Sequence, residues 1–304
     1  MDILSRIIEL AHLQPVLDIR CRLEGAFEID HALVEKGSMP FHLILGGSCI
    51  IETGSGGQFV LQSGDFLLLP RGDAHAIRGR DAKGSALPLR ISREGMLPLR
   101  QNGQGEADVD LLCGHFDFAP GSSRLLLDAL PDPFHASLVE VQSEETLKTL
   151  AGLLRHETTL EQPGALTIVT AICLALFVMA LRQHGSTSFE RPGLLALLAN
   201  PRLGKSVARL VAEPGHRWTI DELARLCAMS RATYARQFRE CTGMTVGSFL
   251  TDWRMAIAGD RLLQTQRSIA DIAAEVGYES EAAFGKAFKS STGLTPGRFR
   301  REAV

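Results

Sequence analysis

The C-terminal third of this 304-residue chain carries one pattern twice, and that duplication limits what the chain can be. Ile220, Leu223 and Ala224 recur as Ile269, Ile272 and Ala273, an offset of 49 residues; Arg236, Phe238, Gly243 and Thr245 recur as Lys286, Phe288, Gly293 and Thr295, an offset of 50. Each copy reads as a short helix, a turn and a second helix. That form lays its second helix in the major groove of DNA. The added residue falls in the turn before the second reading helix.

Local chemistry supports the reading. In the first copy Thr219 stands three residues before Glu222, the spacing of a capping box, and Ser230 is placed to cap the helix Arg231 to Cys241. Tyr234 and Phe238 share its inner face. Arg231, Thr233, Arg236 and Gln237 are left outside, where arginine can grip guanine with two hydrogen bonds and the threonine methyl suits thymine. In the second copy Phe284 and Phe288 face inward, which leaves Glu281, Gly285, Lys286 and Lys289 for DNA. A long helix from Val246 to Gln264 separates the copies. Such a spacer suits reading helices set in successive major grooves, about 34 Å apart. Charge agrees: residues 200–304 hold 16 Lys and Arg against 11 Asp and Glu, and residues 1–199 hold 16 against 24. A basic module on an acidic body fits phosphate contact by one domain only.

IADIAAEVGYESEAAFGKAFKSSTGLTPGRFR resembles the C-terminal signature of AraC/XylS-type transcription regulators, and DELARLCAMSRATYARQFRECTGMTVGSFL matches their first helix-turn-helix. The resemblance covers about residues 200–304. It implies binding to double-stranded promoter DNA, a homodimer and work alongside RNA polymerase. Glu281-Ala282-Ala283 departs from the bulkier polar residues common there. That leaves the second half-site open, with phosphate contact as its other reading.

The front of the chain is built differently. FHLILGG, SCIIETG, GQFVLQSGD and DFLLLPRGD are short strand-like runs close together, which suggests a sandwich or barrel. Residues 79–109 read as a long surface loop, and LLCGHFDF as a returning strand. Beyond Pro133 the period turns helical over Glu144–His156 and again over Gly164–Gln183. Ala165 to Leu181 carries no charge and is at the short edge of a membrane span; a buried or dimerising helix is the preferred reading. The expected fold is α+β. A cupin-like sensor barrel would span 1–130, a helical dimerisation segment 131–184, a linker 185–200, and an all-α DNA-binding domain 201–304.

The barrel reading comes from resemblance. Gly64, Pro70, Gly72 and His75 fit the second cupin motif, with Gly79 where its closing asparagine would stand. His42 is the one histidine of the first motif. A metal ion in the barrel would therefore rest on His42 and His75, with His115 as third candidate; structural histidines are the other reading. MDILSRIIEL, Cys21, His42, His75 and Cys113-Gly114 resemble the branch of this family that answers reactive chlorine, which implies an oxidant sensor working through cysteine. Cys21 lies between Arg20 and Arg22, and nearby cations favour the reactive thiolate. Cys113 is its candidate partner and Cys49 the substitute; against this, free cysteines commonly serve as small core residues. Cys173, Cys227 and Cys241 read as structural. The six cysteines form no CxxC pair, which suits reduced thiols. The N-terminus lacks the features of a signal peptide, so a cytoplasmic regulator is expected. A small-molecule-responsive regulator is the alternative. A metal-dependent cupin enzyme fused to a DNA-binding domain, or a purely architectural DNA binder, fits less well.

Overall fold

The computed structural model describes residues 2–34, 37–80, 87–93, 95–118, 124–140, 142–160, 162–187 and 192–302. The chain divides into two compact units: residues 14–117 with 130–184, and residues 1–13 with 118–129 and 185–304. By contacts, residues 1–13 and 118–129 group with the C-terminal helices rather than with the sheet.

The first unit is a curled sheet of β1 (Gln14–Leu23), β2 (Glu28–His31), β3 (Ser38–Thr53), β4 (Gln58–Gln62), β5 (Asp65–Leu68), β6 (His75–Gly79), β7 (Arg90–Ser92), β8 (Leu99–Gln101), β9 (Val109–Asp117) and β10 (Phe134–Ser137). The main order is β10-β5-β3-β9-β1-β8-β7, while β6 joins β2 to β3 and β4 pairs with β3. FHLILGG and SCIIETG are one strand rather than two. β3 pairs with β9 and β5 over its first half and with β4 and β6 over its second, and its register shifts between Ile44 and Gly46. Gly47 makes the bend workable: its φ is +73°, and a Cβ there would lie 1.8 Å from the Asp108 carbonyl oxygen. The expected loop over 79–109 contains β7 and β8, although 81–86 and 94 lie outside the described residues. β8 runs parallel to β1 and sets Arg100 beside Cys21.

The helices are α1 (Ile3–Ala11), α2 (Arg124–Leu127), α3 (Glu144–Thr159), α4 (Ala165–Thr187), α5 (Leu194–Ala199), α6 (Gly204–Ala212), α7 (Ile220–Leu226), α8 (Arg231–Thr242), α9 (Val246–Gln264), α10 (Ile269–Glu275), α11 (Glu281–Thr292) and α12 (Pro296–Glu302). α4 is long and apolar enough to cross a membrane by length and composition. One of its faces is buried at Val169, Cys173, Leu176, Phe177 and Ala180. Phe177 meets the rings of Phe116, Phe66 and Phe134 at centroid distances of 4.8, 6.0 and 6.4 Å. Leu166 and Ile168 stay exposed. The linker expected over 185–200 is partly helical, since α4 runs to Thr187 and α5 lies within it; residues 188–191 lie outside the described set.

In the second unit the capping box of Thr219 and Glu222 forms on α7, and Ser230, Thr245, Ser268 and Ser280 cap α8, α9, α10 and α11. Ala228 takes a positive φ of 52° in the first turn, where Gly277 takes 85° in the second. Trp253, Phe249, Tyr234, Phe238, Phe284, Phe288 and Phe299 are buried. Full burial of side chains of this kind stabilises by about 1.5–3 kcal/mol each. α1 and α2 pack against α9, and His12 Nε2 lies 2.8 Å from Asp260 Oδ1 of that helix.

One ionic clamp fastens α3 to the sheet. Arg20 donates twice to Asp110 at 2.9 Å, and Arg155 of α3 donates to Asp110 at 2.7 Å and to the Leu45 carbonyl at 2.5 Å. Burial alone would raise the Asp110 carboxyl, but Arg20 and then Arg155 outweigh it and hold the group below its ordinary value of 3.8. Its stabilisation is therefore complete above that value and is lost as pH falls through the lower folded value. Asp110→Asn strands Arg20 and should lower denaturant stability by about 2–4 kcal/mol, a buried-pair loss reduced for the partly exposed Arg155. Urea titration followed by far-UV circular dichroism measures this; an unchanged midpoint would remove the clamp from the account.

Candidate functional site

Strand register gathers the polar residues of the sheet unit. His42 on β3 is directly opposite Cys113 on β9, and Cys21 on β1 is diagonal to Cys113 because it faces Leu111. His31 on β2 is directly opposite His75 on β6. All of these side chains point into the interior, beside a core containing Leu23, Phe27, Ile44, Ile51, Leu67 and Ile77.

The two sequence-selected cysteines meet. Cys21 and Cys113 are both buried, and they are diagonal neighbours on the paired strands β1 and β9. Interaction with Cys113, opposed by burial and helped by Arg100, holds the Cys21 thiol below its ordinary value, whereas Cys21 and burial push the Cys113 thiol well above its own. Of the pair, Cys21 is the better thiolate. The activating cation is not the one its neighbours suggested. Strand alternation turns Arg20 to the opposite face, where it is held by Asp110, and Arg100 on β8 takes the place beside Cys21. Arg100 Nη1 is itself buried without a hydrogen-bond partner. Cys49 shares the core, and burial, then Asp65 and Cys21, push its thiol up to about 12.

The histidines also converge, with one substitution. His42 Nε2 lies 2.7 Å from His75 Nε2, and His31 stacks on His75 at 4.6 Å between centroids, 3° from parallel. One nitrogen from each of His31, His42 and His75 falls within 4.8 Å of the others. His115, the third candidate from sequence, is elsewhere: it pairs with Asp18 at 3.0 Å and lies 3.6 Å from Asp117. Burial first, and then neighbouring histidines, hold His42 well below its ordinary value, and burial lowers His75 against the pull of the Asp73 carbonyl. Burial, His75 and Arg100 lower His31 to about 4. All three are neutral imidazoles at pH 7. Nothing in the sequence flagged His31 or Arg100, because their placement comes from strand pairing alone.

In the helical unit Arg231, Arg236, Glu281, Lys286 and Lys289 are exposed, and Thr233 and Gln237 are half-buried. Arg236 pairs with Glu240 at 3.1 Å and Arg231 with Asp221 at 3.3 Å, both between side chains more than half exposed. Exposed pairs of this kind are weak and readily exchanged for a phosphate or a base. Thr233 also serves the cap, since its N–H and hydroxyl both meet Ser230 Oγ.

The chain thus joins a curled strand unit that has an inward polar cluster to a unit of paired helix-turn-helix motifs, the form of a helix-turn-helix DNA-binding protein. The profile of a family described as Cupin matches residues 2–185, and one described as Helix-turn-helix domain matches residues 223–302. The chain is 33% identical over 301 residues to an uncharacterized HTH-type transcriptional regulator of Haemophilus influenzae, covering 99% of each. It is 30% identical over 301 residues to the RCS-specific HTH-type transcriptional activator RclR of Escherichia coli K12, covering 99% of this chain and 97% of that one. Among solved structures, a Chromobacterium violaceum transcriptional regulator described under AraC-type DNA-binding domain-containing proteins shares 24% identity over 34% of this chain and 93% of its own, with a TM-score of 0.33. The chain belongs to the AraC-type helix-turn-helix transcription regulators that carry an N-terminal cupin domain.

Thiol burial gives a direct check. Cys227 and Cys241 are half-buried, and Cys21, Cys49, Cys113 and Cys173 are buried. A bulky maleimide should modify Cys227 and Cys241 first in the native reduced protein and reach the other four only on unfolding. Peptide mass mapping reads the order, and early labelling of Cys21 would contradict the buried pair.

Proposed function

We propose that this regulator is a cytoplasmic homodimeric activator that senses a small two-electron oxidant such as hypochlorous acid through Cys21, with Cys113 as resolving thiol. The observation that carries the reading is the buried Cys21–Cys113 pair on adjacent strands, with Arg100 in register beside Cys21. The Cys21 thiolate attacks the chlorine of hypochlorous acid, forming an S–Cl bond and releasing hydroxide. Cys113 then attacks Cys21, forming the disulfide, expelling chloride and giving up its proton. In total two thiols lose two electrons and two protons, and chloride and water leave. A sulfur pair buried this deeply admits a small neutral oxidant more readily than a bulky one. The relative RclR is described as a reactive-chlorine regulator, which agrees.

Oxidation would shift the population of the two arrangements in which the DNA-binding units are presented. α4 supplies an apolar outer face, with Leu166 and Ile168 exposed, for the dimer contact. On DNA, Arg231, Thr233, Arg236 and Gln237 of α8 are assigned to one major groove. Lys286 and Lys289 of α11 would hold mainly phosphates, with Glu281 at its N-terminus. Contact with RNA polymerase follows from the activator role. α9, at 19 residues, is about 28 Å long and spaces the two motifs.

One observation favours a second reading, a small apolar effector. A cavity of about 170 Å³ lies between the sheet and α3, lined by Leu43, Leu45, Val139, Leu147, Leu150 and Leu154. Ligand pockets commonly measure about 300–1,000 Å³, so only a small molecule fits.

Mobility shift on the DNA upstream of the protein's own gene, with and without hypochlorous acid and then reductant, tests the redox reading. Cys21→Ser should remove the oxidant response and keep reduced-state DNA binding, and an undiminished response in that variant would end the proposal. Separately, Arg236→Ala should weaken the cognate operator by about 1–3 kcal/mol while sparing scrambled DNA. Equal loss on both DNAs would make Arg236 a phosphate contact.

A further inference from the structure

We propose that His31, His42 and His75 form a binding site for a late first-row divalent cation, with Zn²⁺ as the reference ion. The proposal stands apart from the oxidant reading, because it needs neither thiol as a ligand. Three neutral imidazoles on one ion, with a fourth position open, is a familiar donor set for zinc. Nitrogens around a tetrahedral zinc lie about 3.3 Å apart. The separations here bracket that value, from 2.7 Å between His42 and His75 to an outer limit of 4.8 Å.

Hydrogen-bond accounting points the same way. His75 Nδ1 donates to the Asp73 carbonyl at 2.9 Å, which leaves Nε2 as a bare lone pair facing the cluster. Such a bond on the far nitrogen is what fixes a ligating histidine. His42 Nδ1 lies 3.2 Å from Cys113 Sγ, so His42 has two tautomers open to it. In one, His42 donates from Nε2 to His75, and His31 Nε2 is left buried with no partner at all. In the other, His42 donates from Nδ1 to the sulfur, and the Nε2 atoms of His42 and His75 present lone pairs to each other. A cation among the three gives a partner to the facing nitrogens of His31, His42 and His75 in that second arrangement, and neither arrangement does so without one. Arg100, close enough to His31 to act on it, counts against a second cation nearby.

The ligands come from three strands. His31 sits at the end of β2, which pairs with β6, while His42 belongs to β3. A bound ion would tie β2 to β3 directly. It would also fix His42 as donor to Cys113, so occupancy of the site sets the hydrogen bonding of the thiol pair.

The test uses the full chain, stripped with a chelator and dialysed against zinc chloride, with bound zinc counted by elemental analysis. Wild type, Cys21→Ser, His31→Gln and His75→Gln are compared, each checked by far-UV circular dichroism. Wild type and Cys21→Ser should hold one equivalent, and both histidine variants should bind at least about tenfold more weakly, the least that disturbing a ligand set costs. No zinc on the wild type, or a full equivalent retained by both histidine variants, overturns the site. If His75→Gln does not fold, His31→Gln decides alone, since its removal strands no partner. Cys21→Ser separates the two readings, because it should lose the oxidant response and keep its zinc.

Discussion

β9 lies between β1 and β3, and the rest of the sheet unit depends on that pairing. Its side chains alternate between two buried faces. Val109, Leu111 and Cys113 enter the core with the thiols and histidines, and Phe116 turns to the ring of Phe177 on α4. Asp110 points away from the thiols to the Arg20 and Arg155 clamp. Gly114 has no room for a side chain, since a Cβ would lie 2.4 Å from the Val16 carbonyl oxygen and 2.9 Å from the Phe41 ring. A slip of one residue would send Cys113 to the wrong face and bring the Asp110 charge into the core, so the apolar pattern on both faces fixes the register.

The interior built this way breaks the ordinary rule of an apolar core. Three imidazoles, three thiols and a guanidinium share it with leucines and isoleucines, and two of their nitrogens have no hydrogen-bond partner. Buried polar atoms without partners cost free energy. Local rules fail most often where function is placed. In the helical unit the caps and the aromatic core agree with one another, and the positive φ of Ala228 in the first turn is a local departure there.

This contrast explains what was legible in the sequence. The two helix-turn-helix copies rest on short-range signals: Thr219 with Glu222, Ser230, Ser280, and Gly243 and Gly293 at the helix ends. Such signals survive in a linear reading, and the elements lie where they indicate. The strand unit rests on pairings far apart in sequence. Cys21, Cys113, His42 and His75 carried enough motif context to be singled out, yet the partners that complete them did not. Arg100 lies in a stretch that reads as loop, and β8 forms because β1 offers it an edge. His31 stands next to His75 only through the β2–β6 ladder, 44 residues across the chain. Arg20 misled because adjacency in a strand means opposite faces.

The division of the chain has a mechanical consequence. Gln14 and Asp117 are cross-strand partners at one end of the β1–β9 pair. Just outside them the chain leaves the sheet unit in both directions, into α1 on one side and into the segment bearing α2 on the other. Both of those helices lie against α9, the rod between the two reading motifs. The two strands of this ladder are thus where the chain passes between the two units. Cys21 and Cys113 sit one on each of those strands, so a bond between them would cross-link the two strands from which the chain passes into the other unit.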